Sequence, residues 1–329
     1  MRRDAGVEEV SLRDEATETE LTVRVADRTI EADDVVVLEL EDPQGGPLPQ
    51  WEPGAHIDLR LPGGLIRQYS LCGDPEAPTW RIAVLRVPEG RGGSARVHDE
   101  LQAGALIQVR GPRNRFPLVP AERYVFIAGG IGVTPILPMV AAAERAGAKW
   151  ELHYGGRSRT SMAFLSDLEA FGDLVTAYPE DEVGLIDLDH VLDVAGAGVS
   201  VYSCGPAPLL EALGTRCAER KDVTLRTERF TARQLGDTPS AQSFEVELVV
   251  SGMTVTVPPD RSILEVVEDA GVEVLYSCQE GTCGTCETAV IQGEIDHRDS
   301  LLTPEERASN ETMLICVSRA ACPRLVLEL

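Results

Sequence analysis

Basic residues are scarce: 30 Lys and Arg face 54 Asp and Glu over 329 residues, a net charge of −24. A surface this acidic repels phosphate backbones and anionic headgroups. That argues against nucleic acid and membrane surfaces and points to a basic protein partner. The chain also opens without an apolar leader. MRRDAGVEEVSLRDEATETE reads as an acidic tail over 1–20, not as a secretory signal. Residues 124–143 carry no charge across 20 positions, enough to span a bilayer, but Gly129, Gly130, Gly132, Pro135 and Pro138 interrupt them. That punctuation predicts a strand, a glycine turn and a helix start, and a cytoplasmic protein. Histidine is sparse too. Five are present, and none joins a Ser–His–Asp or paired-carboxylate constellation.

What is present is a globular composition, 43% hydrophobic and 26% charged, long enough for two or three domains. From 21 to 118, short β-branched runs (LTVRVADRTI, DVVVLELED, HIDLRLPGG, RQYSLCG, WRIAVLRVP, ALIQVRGP) alternate with Gly/Pro turns. This rhythm predicts an antiparallel barrel or sandwich. From 119 to 230 strands alternate with helices: YVFIAGG, then TPILPMVAAAERAGA; WELHYGG, then AFLSDLEAFG; VSVYSCG, then PAPLLEALGTRCAER. That order implies a parallel α/β sheet. A linker is expected over 231–242. A third domain follows over 243–329, with strands FEVELVV and MTVTVP and a helix SILEVVEDAG.

Eight cysteines without a signal peptide read as ligands, not as a disulfide framework. Cys278, Cys283 and Cys286 are spaced C-x4-C-x2-C, and 29 residues separate Cys286 from Cys316. This is the plant-type arrangement for a 2Fe–2S cluster. Gly281 and Gly284 let the loop wind tightly and turn its N–H groups toward the sulfurs, which helps set the cluster's potential. Four cysteines also make a zinc site, but zinc loops normally pair two short knuckles, and here the fourth cysteine stands alone. Cys322 offers a fourth ligand at a gap of 35 residues; it reads instead as an ordinary small buried residue, as does Cys217 on a helix.

Two further turns suggest phosphate sites. Gly130-Ile131-Gly132-Val133-Thr134-Pro135 ends a strand and opens a helix, whose free N–H groups and dipole suit a pyrophosphate. The third glycine of the usual dinucleotide fingerprint is missing. Tyr202-Ser203-Cys204-Gly205-Pro206 also ends a strand, so both turns can border one crevice. In the first domain Arg67-Gln68-Tyr69-Ser70 offers a cation for phosphate, a ring for stacking and a hydroxyl donor. Gly92-Gly93-Ser94 precedes a short helix, and His98 in that helix reads as a surface or capping residue.

In chain order, RQYSL, GRGGS, GPRNRFPL, GGIGVTP, YSCGP and the C-terminal cysteines resemble the phthalate dioxygenase reductase family, which includes vanillate demethylase reductases. The resemblance covers about 21–329. It implies a flavin-binding antiparallel β-barrel, a nicotinamide-binding α/β domain with a parallel sheet, and a ferredoxin-like α+β (β-grasp) domain. It further implies an NADH-dependent oxidoreductase that passes single electrons to a terminal oxygenase. By this resemblance Arg67, Tyr69 and Ser70 hold the flavin, with Ser70 near the ring N5, and Gly92, Gly93 and Ser94 bind its phosphate. The backbone at 84–86 lines the ring. Gly130, Gly132, Thr134 and Pro135 form the dinucleotide turn, with Cys204, Gly205 and Pro206 beside the nicotinamide. Phe230 matches an aromatic placed near the flavin; simple linker packing is its alternative. Cys278, Cys283, Cys286 and Cys316 are the cluster ligands.

The resemblance favours FMN over FAD and NADH over NADPH, although Arg157 and Arg159 offer cations to a 2′-phosphate. Hydride transfer between two rings needs alignment more than an acid or base, which fits the missing catalytic constellation. A cluster at about −400 mV carries one electron at a time. Two other functions fit the same signatures: an FAD-containing reductase of a multicomponent oxygenase, and a redox-sensing subunit without turnover. Residues 241–329 hold 16 Asp and Glu against 5 Arg, a net −11, so among the three expected domains the acidic excess is densest where a basic oxygenase surface would dock.

Overall fold

The computed structural model describes residues 19–88, 90–220, 222–232 and 242–329. All but the last two residues of the expected acidic tail, and most of the expected linker, lie outside the described residues.

The six runs of the first unit form six strands: β1 (Glu20–Ala32), β2 (Val35–Glu41), β3 (Ala55–Leu61), β4 (Leu65–Ser70), β5 (Trp80–Leu85) and β6 (Leu106–Asn114). They make one antiparallel sheet in the order β4-β3-β6-β1-β2-β5. The sheet curls until Leu71, just past β4, bridges Ile82 of β5. Alternation turns Val23, Val25, Leu38, Leu40, Ile57, Leu59, Trp80 and Ile82 into a common core. Helix α1 (Gly93–Glu100) follows β5, as expected from the short helical run after Gly92-Gly93-Ser94.

The second unit is a parallel sheet in the order β11-β10-β7-β8-β9, built from β7 (Arg123–Gly129), β8 (Lys149–Gly156), β9 (Val175–Pro179), β10 (Val199–Cys204) and β11 (Val223–Glu228). Five helices accompany it among the described residues: α2 (Val133–Arg145), α3 (Leu165–Glu169), α4 (Glu180–Val183), α5 (Leu188–Ala195) and α6 (Ala207–Ala218). The uncharged stretch at 124–143 thus becomes β7, a turn and most of α2. No helix of the described residues is long and apolar enough to cross a membrane. The helix expected over 163–172 is only α3, because Phe164 and Gly172 at its flanks take left-handed φ of 59°. β9, α5 and β11 were not among the expected elements. One face of this sheet shares a core with the first unit: Val35, Val37, Cys72, Ala83 and Phe116 pack with Phe126, Val133, Tyr154 and Tyr202.

The third unit is a mixed sheet ordered β13-β12-β18-β14-β16, from β12 (Phe244–Leu248), β13 (Met253–Val257), β14 (Glu287–Gln292), β16 (Thr312–Leu314) and β18 (Arg324–Leu327). β12 runs parallel to β18, and its other neighbour β13 is antiparallel. Two short strands, β15 (Ile295–Asp296) and β17 (Arg319–Ala320), pair beside it. Helix α7 (Ile263–Asp269) buries Ile263, Leu264 and Val267 in the core of this unit. Both α7 and α8 (Pro304–Ser309) start at capping boxes, Ser262 with Glu265 and Thr303 with Glu306.

Candidate functional site

A cleft of about 1890 Å³ lies where the three units meet. Its walls are β4 and the start of α1, the carboxyl ends of β7, β10 and β11, and the segment around Leu301 in the third unit. The carboxyl ends of parallel strands are where such sheets bind ligands. Among the helices that reach this cleft, α1, α2 and α6 have no side-chain cap, whereas α5 and α8 reach it capped. Asp187, Ser262 and Thr303 cap α5, α7 and α8. Uncapped N–H groups at a cleft leave donors for an anion.

Arg67, Tyr69 and Ser70 all line the cleft, with Gly93 and Ser94 facing them. Gly92 is left-handed at φ 80° and heads α1. A Cβ on Gly93 would lie 2.5 Å from Arg67 Cγ, so only glycine admits the arginine there. Burial, and then Arg91 beside it, lower the Arg67 pKa, a sign of a cationic cradle. Ser94 Oγ accepts from the Val87 N–H at 2.9 Å, which leaves its own proton to donate. At 84–86, Leu85 lines the cleft, while the Val84 carbonyl contacts His98 Nε2 at 2.8 Å. Arg86 is paired with Asp99.

On the nucleotide side Gly130, Gly132, Thr134, Gly205 and Pro206 line the same cleft. Gly130 has φ 53° with open space over its α-carbon. Gly132 is different: a Cβ there would lie 2.3 Å from the Cys204 carbonyl oxygen, so the two turns are pressed together. Thr134 Oγ1 donates to the Ile131 carbonyl, and Pro135 is buried in α2. Cys204 is fully buried behind Gly205, and burial drives its thiol pKa well up. Phe230 stands half exposed at the rim of the cleft. Arg157 lines the cleft, but Arg159 is bound to Glu169 and Glu182 at 2.8 and 3.3 Å.

Two buried groups of this cleft had no sequence signal. Glu228 ends β11 alongside Cys204, and burial pushes its carboxyl up to about 8, opposed by a hydrogen bond with Ser70. Its Oε2 has no partner among the described residues. His56 on β3 faces the cleft with an unpartnered Nε2.

The three cysteines of the C-x4-C-x2-C motif and Cys316 gather beside the cleft, unpaired by disulfides. Cys278 adjoins Cys283 and Cys316, whose hydrogen bonds push its thiol pKa down, and Cys286 adjoins Cys316. The loop supplies donors to its own sulfurs: Glu280 N to Cys278 at 3.3 Å and Thr285 N to Cys283 at 3.4 Å. Gly281 and Gly284 are left-handed, and a Cβ on either would lie 2.5 Å from Val317 or 2.8 Å from Leu301. Among the described residues no three His, Cys, Asp or Glu side chains surround one point. Cys322 is half-buried, not buried as expected, and its Sγ bonds the Arg324 carbonyl at 3.0 Å. Cys217 is buried on α6 as read.

The cysteine loop leans on the first unit. Arg91 meets Glu280 at 2.7 Å, Arg110 donates to the Tyr276 carbonyl at 2.9 Å, and Arg115 reaches Glu287 at 3.1 Å.

Residues 247–321 match the 2Fe-2S iron-sulfur cluster binding domain family. The chain is 42% identical over 317 residues to phenoxybenzoate dioxygenase subunit beta of Ectopseudomonas oleovorans, covering 95% of this chain and 99% of that one. The solved phthalate dioxygenase reductase, described as a modular structure for electron transfer from pyridine nucleotides to [2Fe-2S], superposes with a TM-score of 0.69 at 36% identity, over 94% and 98% of the two chains. An intact type IV self-sufficient cytochrome P450 monooxygenase gives a TM-score of 0.87 at 46% identity, over 94% of this chain and 41% of that longer one.

Proposed function

This chain belongs to the phthalate dioxygenase reductase family of oxygenase reductases, and from that membership we propose that it takes hydride from NADH onto FMN and delivers single electrons through a 2Fe–2S cluster to a terminal oxygenase. One observation carries the reading: the Arg67–Ser70 strand, the two compressed glycine turns and the cysteine-bearing unit all border one cleft. On this reading 21–118 is the flavin barrel, 119–230 the nicotinamide domain and 243–329 a β-grasp ferredoxin domain.

Arg67, Arg91 and the uncapped start of α1 suit a doubly charged terminal phosphate, which favours FMN. Gly130 offers open backbone to the dinucleotide, and α2 offers its free N–H groups. Arg159 is spent on two glutamates and Glu180 also lines that end of the cleft, an acidic setting that favours NADH over a 2′-phosphorylated nucleotide.

A bound flavin supplies the conversion of an electron pair into single electrons. The protein's own part is placement and dryness. Ser70 presents its hydroxyl, Glu228 holds a proton at its carboxyl below about pH 8, and buried Cys204 keeps water from the nicotinamide side. Cys278, Cys283, Cys286 and Cys316 hold the cluster. The acidic third unit, with 16 Asp and Glu against 5 Arg over 241–329, is the docking face for the oxygenase. Eight cysteines without a disulfide fit the reducing cytoplasm.

The test is direct. Protein purified from iron-replete cells should carry one releasable flavin, identified as FMN by mass, and two irons per chain, and should reduce cytochrome c with NADH. Colourless protein holding zinc, or flavin-bearing protein that NADH does not reduce, would refute the proposal.

A further inference from the structure

The β3–β4 ladder sets His56 directly opposite Ser70, and the next register pairs Ile57 with Tyr69. Ile57 and Leu59 fill the barrel core, so alternation turns His56 outward, to the face of β3 that also carries Asp58. There His56 is 6% exposed and lines the cleft, with Nε2 unpartnered among the described residues. An imidazole nitrogen left unpaired in the interior costs stability unless a ligand completes it. Cys278 lies within electrostatic reach of His56, yet no hydrogen bond joins His56 Nε2 to it among the described residues. The phosphate end of the cleft is not adjacent either. Arg67 pairs with Leu59, three ladder positions away from the His56–Ser70 pair, or about 10 Å along the strand.

We propose that His56 is a flavin-ring contact: its Nε2 hydrogen-bonds the polar edge of the isoalloxazine, beside Ser70 and away from the phosphate. The inference rests on the flavin reading above and adds a residue to it. Burial and the neighbouring Arg113 lower the His56 pKa to about 4, so the contact is made by a neutral imidazole.

The test is equilibrium binding of FMN and of riboflavin to the full-length flavin-free protein, with His56→Leu, His56→Gln and Arg67→Gln compared to wild type. His56→Leu should weaken both flavins by the same factor, about 5–10-fold, the scale of one neutral hydrogen bond. It should also shift the visible flavin band and leave the flavin-free melting temperature equal or higher, because an unpaired buried polar atom has gone. His56→Gln, which keeps a donor, should recover most of the affinity. Arg67→Gln should weaken FMN alone. Wild-type protein that binds neither flavin would sink the flavin reading itself. Wild-type binding that His56→Leu leaves unchanged, that it weakens only for FMN, or that Leu and Gln lower equally, would overturn the His56 contact and leave the flavin reading standing.

Discussion

Arg91 Nη2 and Glu280 Oε1 meet at 2.7 Å, joining the turn before α1 to the loop that carries Cys278 and Cys283. Arg91 also stands beside Arg67, so one cation serves both the phosphate cradle and the cysteine loop. The pair is partly exposed, with side-chain exposures of 53% and 36%, and contributes at most about 1 kcal/mol to stability. Its consequence is positional. Glu280→Arg should slow the second, flavin-to-cluster phase of NADH reduction about 5–10-fold in stopped flow, by loosening the approach on which effective proximity depends. The first phase and the cluster's visible spectrum should not change. Glu280→Gln, which removes the ion pair and leaves the Arg91 cation at the phosphate cradle, should slow the same phase to a smaller extent; no slowing in either variant would show that the ion pair does not set the approach.

The two glycines of the dinucleotide turn should differ. Gly132→Ala drives a Cβ to 2.3 Å from a backbone carbonyl that cannot move aside easily, so the turns must separate. The expected cost is about 1–3 kcal/mol in stability, and the KM for NADH should rise at least tenfold while FMN binding holds. At Gly130 the added Cβ meets nothing, and only the left-handed φ of 53° opposes it. Gly130→Ala should therefore cost about 1 kcal/mol and raise KM less than Gly132→Ala. Equal effects on KM would show that the close approach at Gly132 is not what shapes the nucleotide turn.

The choice of fourth cluster ligand is open to a cysteine test. Cys316 adjoins Cys278 and Cys286, whereas the Cys322 sulfur is engaged with Arg324 and Glu294. Cys316→Ser should lose most of the iron and the visible charge-transfer bands, and Cys322→Ser should keep both. Iron analysis and absorption of the purified variants decide it, and a colourless Cys322→Ser protein would reverse the assignment.

What the sequence discloses of this molecule follows from how local each signal is. The six strands of the barrel alternate with period two between Gly/Pro turns, and all six form. The cysteine motif is contiguous, so its loop is legible in a single line of residues. β9 is a short edge strand whose residues are mostly half exposed, leaving no alternation to read. α5 did carry a signal, since Leu188, Val191, Leu192 and Ala195 sit at helical spacing and are buried. His56 and Glu228 stand apart only through one buried atom each, Nε2 and Oε2, that no partner meets among the described residues. That property arises when strands distant in the chain are brought together, and no residue type or spacing announces it.

Glu228 makes the stability of the flavin-free protein depend on pH with a defined sign. Its carboxyl rises from 4.5 to about 8 because burial penalises the charged form. The folded state therefore binds this proton more tightly than the unfolded chain does. The resulting stabilisation is complete below about pH 4.5, declines steadily as pH rises, and is gone above about pH 8. Glu228→Gln keeps the hydrogen-bonding shape and cannot ionise. The variant should match wild type near pH 5 and should melt several degrees higher than wild type near pH 8. Its reduction by NADH should also lose any dependence on a group titrating near pH 8. If the two proteins show parallel melting curves across this range, Glu228 is not the proton holder of the cleft.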